Sequence, residues 1–141
     1  MSNQIYPCLW FDGQAQEAAK FYCSIFKNAK IATDNQMVVI FELNGRKFMG
    51  LNGGPQFKFN EAVSFVVDCE TQEEIDHYWS KLTADGGSEG NCGWLKDRYG
   101  LSWQIVPTVL PKLLSNPDKA NRVLNAYMKM KKFDIKALEN A

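Results

Sequence analysis

Histidine is nearly missing from this chain: His77 is the sole one in 141 residues. A histidine-rich metal site is excluded, and a Ser-His or Cys-His pair would have to use His77. His77 falls on a predicted helix, about 200° around from the apolar Ile75. It faces the polar side next to Asp76, so no catalytic role is expected of it. Cysteine is sparse too. Cys8, Cys23, Cys69 and Cys92 form no C-x-x-C pair, and none has a histidine at metal-ligand spacing. Buried reduced thiols are expected instead of zinc or disulfides. There is no surplus of charge: Lys plus Arg and Asp plus Glu are 16 each. That balance speaks against nucleic-acid binding and against a polybasic membrane contact.

Other absences narrow the function further. No apolar run approaches the roughly 20 residues of a spanning helix. The first residues, MSNQIYPCLWFDG, have neither a basic start nor a long apolar stretch, so no signal peptide is read there and a cytoplasmic location is expected. Asn52-Gly53-Gly54-Pro55 is glycine-rich, but it is neither GxxxxGK nor GxGxxG after a strand. It reads as a connecting loop, not a phosphate cradle. Paired carboxylates for acid–base work are also lacking in the right places. Glu17, Glu73, Glu74 and Asp76 lie on predicted helices, and only Glu42 and Asp68 fall on predicted strands.

What is present is a repeat. LWFDGQAQEAAKFYCSIF from Leu9 matches FVVDCETQEEIDHYWSKL from Phe65 at an offset of 56. Asp12 meets Asp68, Gln16 meets Gln72, Glu17 meets Glu73 and Tyr22 meets Tyr78. NGRKFMGL from Asn44 matches YGLSWQIV from Tyr99 at an offset of 55, with Gly45 on Gly100 and Phe48 on Trp103. In the first unit, Ile5 to Phe11 alternates as a strand and Asp12-Gly13 ends it. Ala15, Ala18, Ala19, Tyr22, Cys23 and Phe26 recur at three- and four-residue steps, an amphipathic helix. A weak strand is read near Ala29 to Thr33. Met37 to Leu43 and Lys47 to Leu51 flank Asn44-Gly45, a pair that suits a type I′ hairpin turn. The unit is βαβββ.

The second unit repeats the order. Ala62 to Asp68 is a strand. Thr71 and Glu74 form a capping box before a helix whose buried stripe is Ile75, Tyr78, Trp79 and Leu82. Gly86-Gly87 ends that helical region. The short polar stretch from Ser88 to Trp94 has room for one concealed strand. Trp94 to Lys96 and Leu101 to Val106 form a hairpin around Asp97 to Gly100. Pro107 and Pro111 are read as breaks. A helix starts at Ser115-Asn116-Pro117-Asp118, with the stripe Ala120, Val123, Leu124, Tyr127 and Met128. Lys129, Lys131 and Lys132 sit at its C-terminal end, where the helix dipole favours cations. A last short helix covers Asp134 to Glu139.

These blocks carry a resemblance. Two tandem βαβββ units resemble the vicinal oxygen chelate superfamily, which includes glyoxalases, bleomycin-resistance proteins and extradiol dioxygenases. YPCLWFDGQAQEAAKFY, FMGLNGGPQFKFNEAVSF and CGWLKDRYGLSWQIVP are similar to its PhnB-like subfamily, also labelled the 3-demethylubiquinone-9 3-methyltransferase domain. The resemblance covers nearly the whole chain. It implies an α+β fold of the glyoxalase/bleomycin-resistance kind, with a cupped mixed sheet and a helical tail. Residues 1–107 would be a single domain of two units, about 1–56 and 57–107, and residues 108–141 a helical extension.

The resemblance also implies four inward positions that hold a metal in the superfamily's metalloenzymes. Strand register places them at Tyr6, Met49, Ala62 and Gln104. Tyr6 and Ala62 stand for histidine, and Met49 and Gln104 for glutamate. Divalent cations want histidine, carboxylate or thiolate ligands, so neither a metal nor any other cofactor is expected. Gln104 is then expected to bond a ligand, a water or the Tyr6 hydroxyl. Trp79 and Trp103 fall on helix-facing positions, whereas Trp10 points to the cavity side and Trp94 to its rim. The expected cavity lining is Tyr6, Cys8, Trp10, Met49, Asn52, Ser64, Trp94 and Gln104. An aromatic, uncharged cup suits a small aromatic ligand. The expected function is metal-independent binding of such a molecule by a homodimer. The alternatives are a metal-dependent lyase, isomerase or dioxygenase of the superfamily, or the methyltransferase of the label. An S-adenosylmethionine enzyme of the common kind needs a glycine-rich turn after its first strand, and FDGQA does not supply one. A cup filled by its own side chains would make the chain an interaction protein instead.

Overall fold

The structure is a computed structural model and describes residues 3–141. In the first unit, alternation and turn chemistry build strands Cys8–Phe11 (β1), Lys30–Asp34 (β2), Val38–Leu43 (β3) and Arg46–Asn52 (β4), with helix Ala15–Ile25 (α1) after β1. The sheet order is β1-β4-β3-β2. β1 runs parallel to β4 and the other neighbours are antiparallel. Leu9, Phe11, Val39, Phe41, Leu43 and Phe48 are buried, as are Ala15, Ala18, Ala19, Tyr22 and Ile25 of α1. The small residues let the helix approach the sheet. Tyr22 stacks near Phe41 at 6.2 Å, and Phe41 on Phe48 at 5.4 Å. Asn44 and Gly45 have φ of 52° and 76°, so both central residues of the hairpin are left-handed, as a type I′ turn requires.

The second unit has strands Ser64–Cys69 (β5), Ser88–Glu89 (β6), Trp94–Lys96 (β7) and Ser102–Pro107 (β8), and helix Gln72–Thr83 (α2). Its order, β5-β8-β7-β6, is that of the first sheet with each strand replaced by its repeat. Thr71 Oγ1 accepts from the Glu74 amide at 3.2 Å, and Glu74 Oε1 accepts from the Thr71 amide at 3.2 Å, so the capping box is formed. Trp79 and Trp103 are core residues, and each indole N–H finds a carboxylate. Trp79 Nε1 donates to Glu89 Oε2 at 2.8 Å, and Trp103 Nε1 to Asp97 Oδ2 at 2.9 Å. Asp97 is 2% exposed, and its Oδ1 accepts from the amides of Tyr99 and Leu101 at 2.9 and 3.1 Å. One buried carboxylate thus ties the β7–β8 turn to the core.

Several boundaries differ from expectation. β1 begins at Cys8 because Pro7 has no N–H for the ladder; only its carbonyl pairs, accepting from Met49. β5 begins at Ser64, and Ala62 lies in an exposed turn where Asn60 Oδ1 accepts from its amide at 2.8 Å. The strand concealed after Gly87 is β6. Pro111 does not break the chain. It sits in the first turn of helix Val109–Leu114 (α3), where a missing N–H costs nothing. The next helix, Ala120–Tyr127 (α4), starts after Pro117 rather than on it. A turn held by Asn116 precedes it, with Asn116 Oδ1 accepting from the Asp118 amide. Of its stripe, Val123 is buried, while Leu124 and Met128 are exposed. Helix Ile135–Glu139 (α5) is capped by Asp134.

The tail is bound into the second unit. The amides of Cys92 and Gly93 donate to the carbonyls of Met130 and Lys131, and Gln72 bonds both the Phe133 carbonyl and the Ile135 amide. Compact packing divides the chain between Phe59 and Asn60, so the helices after β8 belong with the second sheet. Among the described residues, no helix is long and apolar enough to cross a membrane.

Asp97→Ala should lower stability by about 3 kcal/mol or more, because the Trp103 indole and two loop amides lose their acceptor. Asp97→Asn should cost less, since it keeps Oδ1. Urea denaturation checks both. Burial pushes the Cys69 thiol up to about 12, with Glu74 and Asp68 adding to the shift. The unfolded thiol loses its proton near its ordinary value while the folded one keeps it. This contribution to stability is therefore full below about pH 9 and is lost as pH rises toward 12, at up to roughly 1.4 kcal/mol per pH unit. Thermal melts between pH 8 and 11 should fall less steeply for Cys69→Val.

Candidate functional site

In each sheet the helix covers one face, so alternate residues are committed to the other. On the first sheet the uncovered face carries Cys8 and Trp10, Val38, Ile40 and Glu42, and Lys47, Met49 and Leu51. Tyr6 precedes β1 with its ring 4.1 Å below the Lys47 ammonium. Cys8 pairs with Met49 in register. Partial desolvation holds the Cys8 and Cys23 thiols above their ordinary value, which makes neither a ready nucleophile.

Trp10 is held by the loop that follows β4. Its Nε1 donates to the Gly54 carbonyl at 2.9 Å, and its ring meets Phe57 edge-on at 4.9 Å. Gly53 must be glycine here, since a Cβ would come within 2.3 Å of the Trp10 ring. The amides of Gly53 and Gly54 both donate to the Phe11 carbonyl. The glycine-rich stretch is therefore a clamp on Trp10, and the indole N–H is already taken.

Asn52 is a correction. It was expected to line the cavity, yet it shares the phase of Phe48 and Gly50 on the helix side of β4. Its Oδ1 accepts from the Ala15 amide at 2.8 Å, and its Nδ2 donates to Gln16 and to the Gln36 carbonyl. Gln14 makes no side-chain cap for α1, so Asn52 supplies one from a distant strand.

On the second sheet, register sets out rows. Ser64, Ser102 and Lys96 lie side by side across β5, β8 and β7, and the next row is Val66, Gln104 and Trp94. The helix side carries Phe65 and Trp103, 5.7 Å apart, with Leu95 and Ile105. Gln104 has its partner on the open face: its Nε2 donates to Ser64 Oγ at 2.9 Å. The bond is neither to Tyr6 nor to local backbone. It joins two of the expected cavity residues directly. Gln104 is the register partner of Trp94.

Three polar groups here were left out of the expected site. The Ser102 hydroxyl is buried without a hydrogen-bond partner. Lys96 Nζ lies 2.6 Å from Glu61 Oε2. The hydrogen bond from Lys96 holds the Glu61 carboxyl below its ordinary range. Ser102 shares the parity of Gln104, a signal the sequence did carry. Nothing in the sequence announced the pairing of Glu61 with Lys96.

A metal does not fit the positions to which the superfamily's ligands map. In the first unit Tyr6 and Met49 offer a phenol and a thioether; in the second, Ala62 and Gln104 offer a methyl group and an amide already bonded to a serine. The Lys47 charge beside Tyr6 opposes a cation further. Among the described residues no three His, Cys, Asp or Glu side chains are grouped to hold one.

Comparison with known proteins follows the fold. The sequence model of the family described as 3-demethylubiquinone-9 3-methyltransferase matches residues 3–106. The chain is similar to a PhnB protein from Bacillus cereus whose own description is "putative 3-demethylubiquinone-9 3-methyltransferase". The identity is 33% and the TM-score 0.69, over 75% of this chain and 100% of that one. A glyoxalase/bleomycin resistance protein from Albidiferax ferrireducens T118 shares the fold at 15% identity and TM-score 0.55, over 75% and 98% of the two chains. So does the fosfomycin resistance protein FosX from Listeria monocytogenes, solved with Mn(II) and sulfate, at 16% identity and TM-score 0.58, over 80% and 96%. No curated protein matches the sequence.

The Gln104–Ser64 bond should be measurable by a double-mutant cycle of Gln104→Leu and Ser64→Ala. A coupling of about 1 kcal/mol in urea denaturation is expected.

Proposed function

We propose, for a chain that belongs to the 3-demethylubiquinone-9 3-methyltransferase (PhnB-like) family of the glyoxalase/bleomycin resistance superfamily, that it binds a small aromatic molecule without a metal. One observation carries the reading. Where metal-dependent relatives are expected to place a carboxylate, this chain has an amide whose nitrogen donates to Ser64, in register with Trp94. An amide held in one orientation reads the hydrogen-bonding edge of a ligand, and a neighbouring indole face supplies area. Tyr6, Cys8, Trp10 and Met49 offer a second apolar and aromatic surface on the first sheet. The protein acts in this reading as a homodimer, to which the exposed Leu124 and Met128 contribute. Size-exclusion chromatography with light scattering tests that part.

The family's description names a methyltransferase. The fold supplies two sheets ordered β1-β4-β3-β2 and β5-β8-β7-β6, not the doubly wound sheet on which a glycine-rich turn receives a nucleoside. Calorimetry with S-adenosylmethionine is expected to give no heat of binding.

A thermal-shift screen of small aromatic compounds in the presence of a chelator tests the main reading. Saturable stabilisation is expected, by roughly 2.7 kcal/mol at a hundredfold excess over the dissociation constant. Gln104→Leu should remove most of it. A screen without a single saturable shift, or shifts that vanish with chelator, would contradict the proposal.

A further inference from the structure

The row Ser64, Ser102 and Lys96 raises a question of its own. Ser102 is 1% exposed, although Val66 on the same face is 56% exposed. Its hydroxyl has no hydrogen-bond partner. A buried hydroxyl without a partner is costly to keep, and serine could be replaced by alanine at no steric expense. Glu61 precedes β5 and Lys96 lies on β7, so their contact crosses β8 at the level of Ser102. Both side chains of the pair are well exposed. An exposed pair contributes little and opens readily.

The donors beneath the pair are oriented. Gln104 Nε2 donates to Ser64 Oγ, so the Ser64 hydrogen is left to donate elsewhere. Ser102 has a hydrogen to give, and Lys96 has its ammonium. Serine hydroxyls and an ammonium side by side match the lone pairs of one carboxylate. Glu61 supplies such a carboxylate from the chain itself, but it reaches only Lys96.

We infer that the ligand of this face carries a carboxylate that displaces Glu61 from Lys96 and accepts from Ser102 and Ser64. This rests on the reading of the face as an aromatic-binding surface and adds the charge of the ligand to it. The aromatic part lies against Trp94 and Val66 in the adjoining row, and the acid reaches one row further to Ser102. Glu61 holds the site in the absence of ligand and competes with it.

The test is calorimetric titration of the full chain with 2-naphthoate and benzoate, each beside its neutral amide. The acids should bind roughly tenfold more tightly than the amides, since charge-assisted bonds are lost in the amides. Glu61→Gln should tighten the acids several-fold and leave the amides unchanged. Lys96→Met and Ser102→Ala should weaken the acids alone. Ser102→Ala should also melt no lower than the parent, which a packing role for the hydroxyl would not give. Equal affinity for acid and amide, or acid binding indifferent to Ser102 and Lys96, overturns the inference and leaves the aromatic-binding reading standing. Failure of both acids and both amides to bind overturns the two together.

Discussion

Everything on the open faces depends on one constraint, the packing of a single helix against one side of each four-stranded sheet. A strand has only two sides. Once Phe65, Trp103, Leu95 and Ile105 are pressed toward the helix side, Ser64, Gln104, Ser102, Trp94 and Lys96 have nowhere else to go. The same rule in the first unit commits Phe41, Phe48 and Leu9 inward and Met49, Trp10 and Cys8 outward. The chemistry available to the protein is the set of residues left over by its own core.

Polar groups inside that core are handled with economy. Each buried indole finds a carboxylate, and Asp97 serves an indole and a turn at once. Asn52 stops an open helix end from a strand far away in sequence. Against this background the unpartnered hydroxyl of Ser102 is an exception. Buried polar atoms without a partner are where function is worth seeking.

Much of the fold was legible in the sequence because it was written twice. The 56-residue offset carries β1 onto β5 and α1 onto α2, and the two sheets share one strand order. The Asn44-Gly45 turn and the Thr71–Glu74 box were local signals with one physical meaning each. What failed was of two kinds. Asn52 was legible but misread, for the parity that puts Met49 outward puts residue 52 inward. Ala62 and Pro111 were misjudged at strand and helix ends, where a turn or a tolerated proline shifts a boundary by a residue or two. The Trp10 clamp and the Lys96–Glu61 contact join residues that no local pattern links. Long-range polar contacts leave little trace in a single sequence.

In the proposed function this chain works without a metal, because the residues at the superfamily's ligand positions are poor donors. Metal content tests this most directly. The purified protein, prepared without chelator, is offered Zn, Mn, Fe and Ni, dialysed and assayed by mass spectrometry. Neither a phenol nor an amide is a good donor for these cations, so occupancy below about a tenth of the chains is the expected result. One tightly held metal per chain, or per dimer, would contradict the account and make metal-assisted chemistry the leading explanation.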